Sequence, residues 1–134
     1  MVIGFTCGAF DLLHAGHVIF LKECRQLCDH LMVGLHTDPT VDRPYKNKPA
    51  QSVFERYLQL SGCKYVNDIV PYETERDLED LLGALNIQKR FLGSDYAGLS
   101  YSGEFICKFR SIEIVMIPRL HSWSSSALRD KIEK

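Results

Sequence analysis

Two histidines sit three residues apart in Gly8-Ala9-Phe10-Asp11-Leu12-Leu13-His14-Ala15-Gly16-His17, and no other residues in the chain are as well placed for chemistry. An imidazole can donate a hydrogen bond to an anion, exchange a proton near neutral pH, or ligate a metal. What the pair can do depends on the elements that carry it. Upstream, Val2-Ile3-Gly4-Phe5-Thr6-Cys7 is an apolar run of strand length. Downstream, Val18, Leu21, Cys24, Leu27, Cys28 and Leu31 recur at helical spacing, with Lys22, Glu23, Arg25, Gln26 and Asp29 on the polar side. The histidines therefore fall where a strand hands over to a helix N-terminus, a place that offers free amide donors and the positive end of a dipole. Gly16 lets a ligand approach the backbone closely. The pattern describes an anion site with two imidazoles directed into it. The alternative is a metal site in which His14 and His17 supply two nitrogens and Asp11 or Cys7 a third ligand.

The remaining elements follow from periodicity and turn chemistry. A first strand at residues 2–7 and a helix from about 16 to 28 lead to a second strand, His30 to His36. Residues 37–50 are loop, with Pro39, Pro44 and Pro49 interleaved with Arg43, Lys46 and Lys48. Ser52 with Glu55 forms a capping box opening a helix through Phe54, Leu58 and Leu60 to Gly62. A third strand, Tyr65 to Val70, is expected to stop at Pro71. Thr74 caps a helix lined by Leu78, Leu81, Leu82 and Leu85 and terminated at Asn86. Arg90 to Gly93 is strand four, and a Gly- and Ser-containing loop from Ser94 to Ser102 leads into a weak helix, Glu104 to Phe109. Strand five, Ile112 to Ile117, ends at Pro118, and Ser124 or Ser125 caps a last helix containing Ala127, Leu128 and Ile132. Strands separated by single helices predict an α/β fold, an open five-stranded parallel sheet with helices on both faces, as one domain over residues 1–134.

Bulk properties narrow the function. A net charge of −1 on 134 residues offers no basic surface for nucleic acid or an anionic membrane. No apolar run approaches a bilayer span, and the N-terminus lacks a signal-peptide pattern, so a cytoplasmic location is expected. The five cysteines are an odd number, and most lie in apolar segments. Cys24 and Cys28 are one helical turn apart with no second pair to complete a zinc set, which reads as buried thiols in a reducing compartment.

On this fold the polar candidates collect beyond the carboxyl ends of the strands, where open α/β sheets bind ligands. His14 and His17 follow strand one, and the Arg43/Lys46/Lys48 loop follows strand two. Asp95 follows strand four, and Arg119 with the Ser124-Ser125-Ser126 cap follows strand five. Taken singly, each has a plain reading: a solvated loop, a turn aspartate, a helix cap. Taken together, two imidazoles, several cations and a hydroxyl-rich helix start suit a nucleoside triphosphate.

The first motif resembles the G-T-F-D-L-L-H-x-G-H opening of the cytidylyltransferases, within the nucleotidyltransferase superfamily. Arg119-Leu120-His121-Ser122-Trp123-Ser124-Ser125-Ser126 is similar to their R-T-x-G-I-S-[ST]-T signature. Lys48-Pro49 with Glu55-Arg56, Lys64 to Val70, and Gly93-Ser94-Asp95-Tyr96 fall in the family's order. The likeness covers essentially the whole chain, and in length and layout it lies nearest the glycerol-3-phosphate cytidylyltransferases. Ala9 and Leu120 stand where that family carries Thr, Ser122 where it carries Gly, and Lys64 where the glycerol-3-phosphate enzymes carry Arg.

The resemblance implies a Rossmann-like fold of the HUP type and transfer of CMP from CTP to a small phosphomonoester, with pyrophosphate leaving. It implies catalytic roles for His14, His17, Arg119 and a loop lysine, Lys46 or Lys48. It implies nucleotide contacts from Ala9, Phe10, Gly16, Lys48, Asp95, Trp123, Ser124, Ser125 and Ser126. Acceptor contacts would come from Asp11, Lys46, Arg56, Lys64 and Arg76. It further implies Mg²⁺ held mainly by nucleotide phosphates, with no protein-only metal site, and a homodimer. Glycerol 3-phosphate is the favoured acceptor, ahead of other phosphorylated alcohols or polyols. Choline phosphate would need an aromatic cage drawn from Tyr45, Tyr72, Tyr96, Tyr101 and Trp123. Two other readings stand beside this one: an ATP-using adenylyltransferase, suggested by Ser124-Ser125-Ser126-Ala127-Leu128-Arg129, and a nucleotide-binding module without activity, suggested by Ala9 and Leu120.

Overall fold

A computed structural model describes residues 1–120 and 123–133. Five strands, β1 (Ile3–Gly8), β2 (His30–His36), β3 (Asp68–Tyr72), β4 (Lys89–Gly93) and β5 (Glu113–Ile117), form one parallel sheet in the order β3-β2-β1-β4-β5. The crossover helices are α1 (Ala15–Gln26), α2 (Val53–Ser61), α3 (Glu75–Ala84) and α4 (Glu104–Phe109), and α5 (Ser125–Glu133) follows β5. This is the Rossmann-like arrangement. The chain leaves β1 in one direction as far as β3 and then resumes at β4 on the other side of β1. The carboxyl ends of β1 and β4 therefore flank the topological switch point, where such sheets open a crevice.

Burial on both faces explains the near-continuous apolar strands. One core gathers Leu31, Val33, Leu35 and Phe91 of the sheet with Leu21 and Cys24 of α1 and Leu60 of α2. The other gathers Phe5 and Tyr72 with Leu78 and Leu82 of α3 and Cys107 of α4. Gly4 makes the sheet fit: a Cβ there would lie 2.4 Å from the Phe91 ring and 2.8 Å from the Cys28 Sγ.

Helix starts follow the capping chemistry. Ser52 and Glu55 form the expected box at α2, Thr74 and Asp77 form another at α3, and the Ser124 Oγ accepts from Ala127 N at 3.0 Å to cap α5. One boundary is corrected. β3 does not stop at Pro71 but starts at Asp68 and runs through Tyr72, with Pro71 opposite Leu35. β3 is an edge strand, so a residue without an N–H breaks no ladder on its open side.

Candidate active site

The His14-x-x-His17 pair is a capping box made of imidazoles. Gly16 N donates to His14 Nδ1 at 3.0 Å, and His14 N donates to His17 Nδ1 at 3.1 Å. Ser or Thr with Glu usually fills these positions. Here the substitution has a chemical consequence: each Nδ1 accepts from a backbone amide, so the ring proton of each neutral imidazole belongs on Nε2. The two rings lie 3.9 Å apart at 31°, and Phe10 packs against His17 at 5.5 Å. The pair is thus locked in one tautomer and one orientation at the N-terminus of α1, suited to donating hydrogen bonds to an anion.

The loop before α1 is strained. Phe10 and Leu12 hold φ of 49° and 51°, which costs about 1–3 kcal/mol each. Asp11, only 5% exposed, holds the loop in place. Its carboxylate accepts from Ala50 N at 2.8 Å and Gln51 N at 3.0 Å and pairs with Arg129, while its carbonyl accepts from the Ser125 hydroxyl at 2.7 Å. Burial would raise the Asp11 pKa, but the two amides and Arg129 outweigh it and hold the carboxyl below its ordinary value. Gln51 Oε1 accepts from Leu12 N at 2.8 Å.

Two cavities open at the switch point. One, of about 430 Å³, lies between α1 and the segment entering α5; His14, His17 and Glu23 face Arg119, Trp123, Ser124 and Ser125 across it. The other, of about 700 Å³, lies on the α3 side and is lined by Ala9, Phe10, His36, Arg43, Lys46 and Arg90 among others. His17, Phe20, Gly93 and Asp95 line both, so the imidazole of His17 stands at the junction. At Gly93 a Cβ would come 2.5 Å from the Asp95 Oδ1, so a side chain there would displace that exposed carboxylate. Arg119 is set by its own loop, its backbone N donating to Ser94 Oγ at 3.3 Å and its guanidinium to the Trp123 carbonyl at 2.5 Å.

His14, Gly16, His17, Asp95, Arg119, Trp123, Ser124 and Ser125 therefore converge on one cavity, as the sequence implies. His121 and Ser122 of the second motif lie outside the described residues. The other candidate residues lie elsewhere. Ala9 and Phe10 line the α3-side cavity instead of the α1–α5 one, and Ser126 lines neither. Asp11 is the tie just described, with its oxygens already engaged. Arg56, 1% exposed, donates to the carbonyls of Gln51, Ala9, His36 and Thr37 at 2.6–3.1 Å, which joins the ends of β1 and β2 and leaves the guanidinium no open face. Lys46 reaches the α3-side cavity and Lys48 lines neither. Lys64 lies over the Tyr65 ring at 5.3 Å, and it and Arg76 are exposed away from both cavities.

Sequence reasoning passed over Arg90 and His36. His36 is buried, stacks on Tyr72 at 4.7 Å and contacts the Glu73 carbonyl through Nε2 at 2.9 Å. Burial lowers its pKa despite that carbonyl, so it is neutral at pH 7. The metal alternative finds no support in the donor set: among the described residues no three His, Cys, Asp or Glu side chains gather around a point.

Residues 5–131 match the family model described as cytidylyltransferase-like. The chain belongs to the cytidylyltransferase-like family. It is 35% identical over 132 residues to the bifunctional protein HldE of Hyphomonas neptunium, covering 94% of this chain and 26% of that protein. It is 43% identical over 74 residues to an ethanolamine-phosphate cytidylyltransferase of Arabidopsis thaliana, covering 52% of this chain and 18% of that one. The chain thus spans about a quarter or less of the length of these curated relatives. Among solved structures, a lipopolysaccharide core biosynthesis protein from Thermoplasma volcanium superposes with a TM-score of 0.74 at 26% identity, covering 90% of this chain and 99% of that one. A pantothenate synthetase from Thermus thermophilus shares the fold at 13% identity and a TM-score of 0.64, covering 97% of this chain and 64% of that one. Family membership makes this a cytidylyltransferase-like domain. No helix among the described residues is long and apolar enough to cross a membrane.

Proposed function

We propose that this domain transfers a nucleotidyl group, CMP from CTP in the favoured reading, to the phosphate of a small phosphorylated alcohol or polyol, with glycerol 3-phosphate as the favoured acceptor. The observation that carries this is the histidine capping box at the meeting point of two cavities. The triphosphate occupies the α1–α5 cavity, with its phosphates between the two Nε2–H groups and Arg119. The acceptor occupies the α3-side cavity beside Lys46. Its phosphate oxygen attacks the α-phosphorus in line from the far side of the departing pyrophosphate. One P–O bond forms, the α–β bridging bond breaks, and the electron pair leaves with pyrophosphate. No protein nucleophile takes part: positioning and charge neutralisation lower the barrier. His14 and His17 hydrogen-bond the phosphates as charge moves onto the leaving group, Arg119 braces them from the facing side, and Ser124 and Ser125 add hydroxyls. Asp95, lining both cavities, is the carboxylate suited to help hold a Mg²⁺ ion bound chiefly through phosphate oxygens; that ion would neutralise charge on the triphosphate. The homodimer belongs to the same reading.

A second reading, ATP in place of CTP, is supported by the Ser124-Ser125-Ser126-Ala127-Leu128-Arg129 ending, which resembles that of adenylyltransferases. The Ser-Ser-Ser-x-Leu-Arg ending places this arginine on Asp11, so the ending shapes the signature loop itself. Curated relatives matched along most of this chain include the bifunctional HldE, and a similar solved structure is a lipopolysaccharide core biosynthesis protein; a phosphorylated sugar is the acceptor this reading favours.

Pyrophosphate release with Mg-CTP and Mg-ATP against a panel of phosphomonoesters tests both readings. Release with CTP and a polyol phosphate is expected. Release with ATP alone selects the second reading, and nucleotide binding without release for any acceptor selects an inactive binding module.

A further inference from the structure

β4 alternates between the two cores, and Arg90 occupies a position facing the α3/α4 core where an apolar side chain would pack. It is 2% exposed and lines the 700 Å³ cavity. Among the described residues no carboxylate lies within ion-pairing distance of it. Its guanidinium donates to the Ser102 carbonyl, reaches the thiols of Cys7 and Cys107 at 3.7 Å each, and faces the Tyr101 ring at 5.2 Å. Its Nε–H is buried with no hydrogen-bond partner. Thiols and a ring are weak substitutes for water or a carboxylate, so this cation lacks the pairing that a buried charge needs. The rest of the cavity does not supply it. Arg43 already engages Glu75 at 3.2 Å, and Lys46 adds another positive charge.

The side chain projects from the second residue of the five-residue strand β4, below its carboxyl end and below Gly93. Its guanidinium reaches toward that end as far as Cys7, two residues beyond Phe5, its neighbour on β1, and lines the acceptor cavity there. Gly103 leaves room for this arrangement: at φ +78°, a Cβ there would come 3.2 Å from Arg90 Nη1 and 2.5 Å from Leu82.

We propose that the acceptor carries a second anionic group, besides the phosphate that attacks, and that Arg90 binds it. This rests on the α3-side cavity being the acceptor site, and within that reading it replaces glycerol 3-phosphate, which only the resemblance favours, with a doubly anionic acceptor. Phosphorylated polyols or sugars ending in a carboxylate or a further phosphate meet the requirement. Those with only hydroxyls at the far end leave the buried cation without a counter-ion.

Three probes differ at that end alone: glycerol 3-phosphate, 3-phosphoglycerate and glycerol 1,3-bisphosphate. Their affinities are measured by calorimetry with a non-hydrolysable CTP analogue and Mg²⁺ present, on the wild-type protein, Arg90→Met and Arg90→Lys. The wild type is expected to prefer at least one doubly anionic probe by roughly tenfold or more, the size of a charged hydrogen bond. Preference for the glycerate identifies a carboxylate, and preference for the bisphosphate a phosphate. Arg90→Met is expected to bring the ratio close to one without lowering Tm, because an apolar side chain of similar size suits that core position. Arg90→Lys should retain part of the ratio.

Equal binding of all three probes by the wild type overturns the proposal, as does a preference that persists in Arg90→Met. A lower Tm with equal weakening of all three overturns it too, since it marks a purely structural arginine. Intact discrimination with no pyrophosphate release for any acceptor would count against nucleotidyl transfer and leave the Arg90 site standing.

Discussion

The two cavities are built on opposite principles. In the α1–α5 cavity the functional groups are fixed by hydrogen bonds that all involve backbone atoms: amides set both imidazoles, the Trp123 carbonyl accepts from the Arg119 guanidinium, and the Arg119 amide donates to the Ser94 hydroxyl. In the α3-side cavity the charges come from side chains, some paired with each other as Arg43 is with Glu75, and one, Arg90, buried without a carboxylate. The difference teaches a division of labour. On the proposed reading, the group that every member of a reaction class must handle, the triphosphate, would be met by fixed donors, and the group that varies between members, the acceptor, by side chains that can change one at a time.

The largest expected effect lies at the junction. His17→Ala should lower turnover by roughly 10²–10³, the size of losing one transition-state donor, with the circular dichroism of the folded protein retained. Near-wild-type turnover would break the comparison, because the fixed donors would then be dispensable. Next comes the tie beneath them. Asp11→Ala removes the partner of Arg129 and of two amides and should cost about 3 kcal/mol in urea unfolding at pH 7. Since the folded-state pKa of Asp11 lies below the ordinary value, its contribution is present above about pH 4 and lost as pH falls through the folded pKa. The deficit of the variant should therefore shrink in acid, and a deficit independent of pH would assign the loss to packing. Ser124→Ala should cost about 1 kcal/mol as a lost cap, with hydrogen-exchange protection falling first in α5, a helix with no buried residue of its own. The smallest effect belongs to Lys64→Ala, within about twofold in turnover as for a surface site. A larger loss would return Lys64 to the acceptor site.

Local signals carried most of the fold. The Ser52–Glu55 box, the Thr74 cap and the apolar strand runs place α2, α3 and the sheet because each is complete within a few residues. The α1–α5 cavity was legible for a related reason: its motifs sit at strand ends, and parallel topology brings strand ends together. What escaped depends on separation. Asp11 and Arg129 are 118 residues apart, and nothing near either announces the other. Arg56 looked like a substrate ligand because sequence cannot show four carbonyls converging on it. Arg90 counted as one residue of a short apolar strand, since periodicity gives a position's face without revealing whether a charge there has a counter-ion. The path of the loop after β2 brings Lys46 and not Lys48 to a cavity, and proline-rich loops follow no periodicity. The imidazole capping box was hidden by composition, histidine being an unusual pair of caps.

That box offers the most direct test of the account. Two-bond ¹H–¹⁵N NMR spectra of the histidine rings at pH 7.5 report which nitrogen carries each proton. The prediction is an unprotonated Nδ1 and a protonated Nε2 for both His14 and His17, with both Nε2 resonances shifting on addition of Mg-CTP. A proton on Nδ1 of either ring, or nucleotide binding that moves neither Nε2, would contradict it.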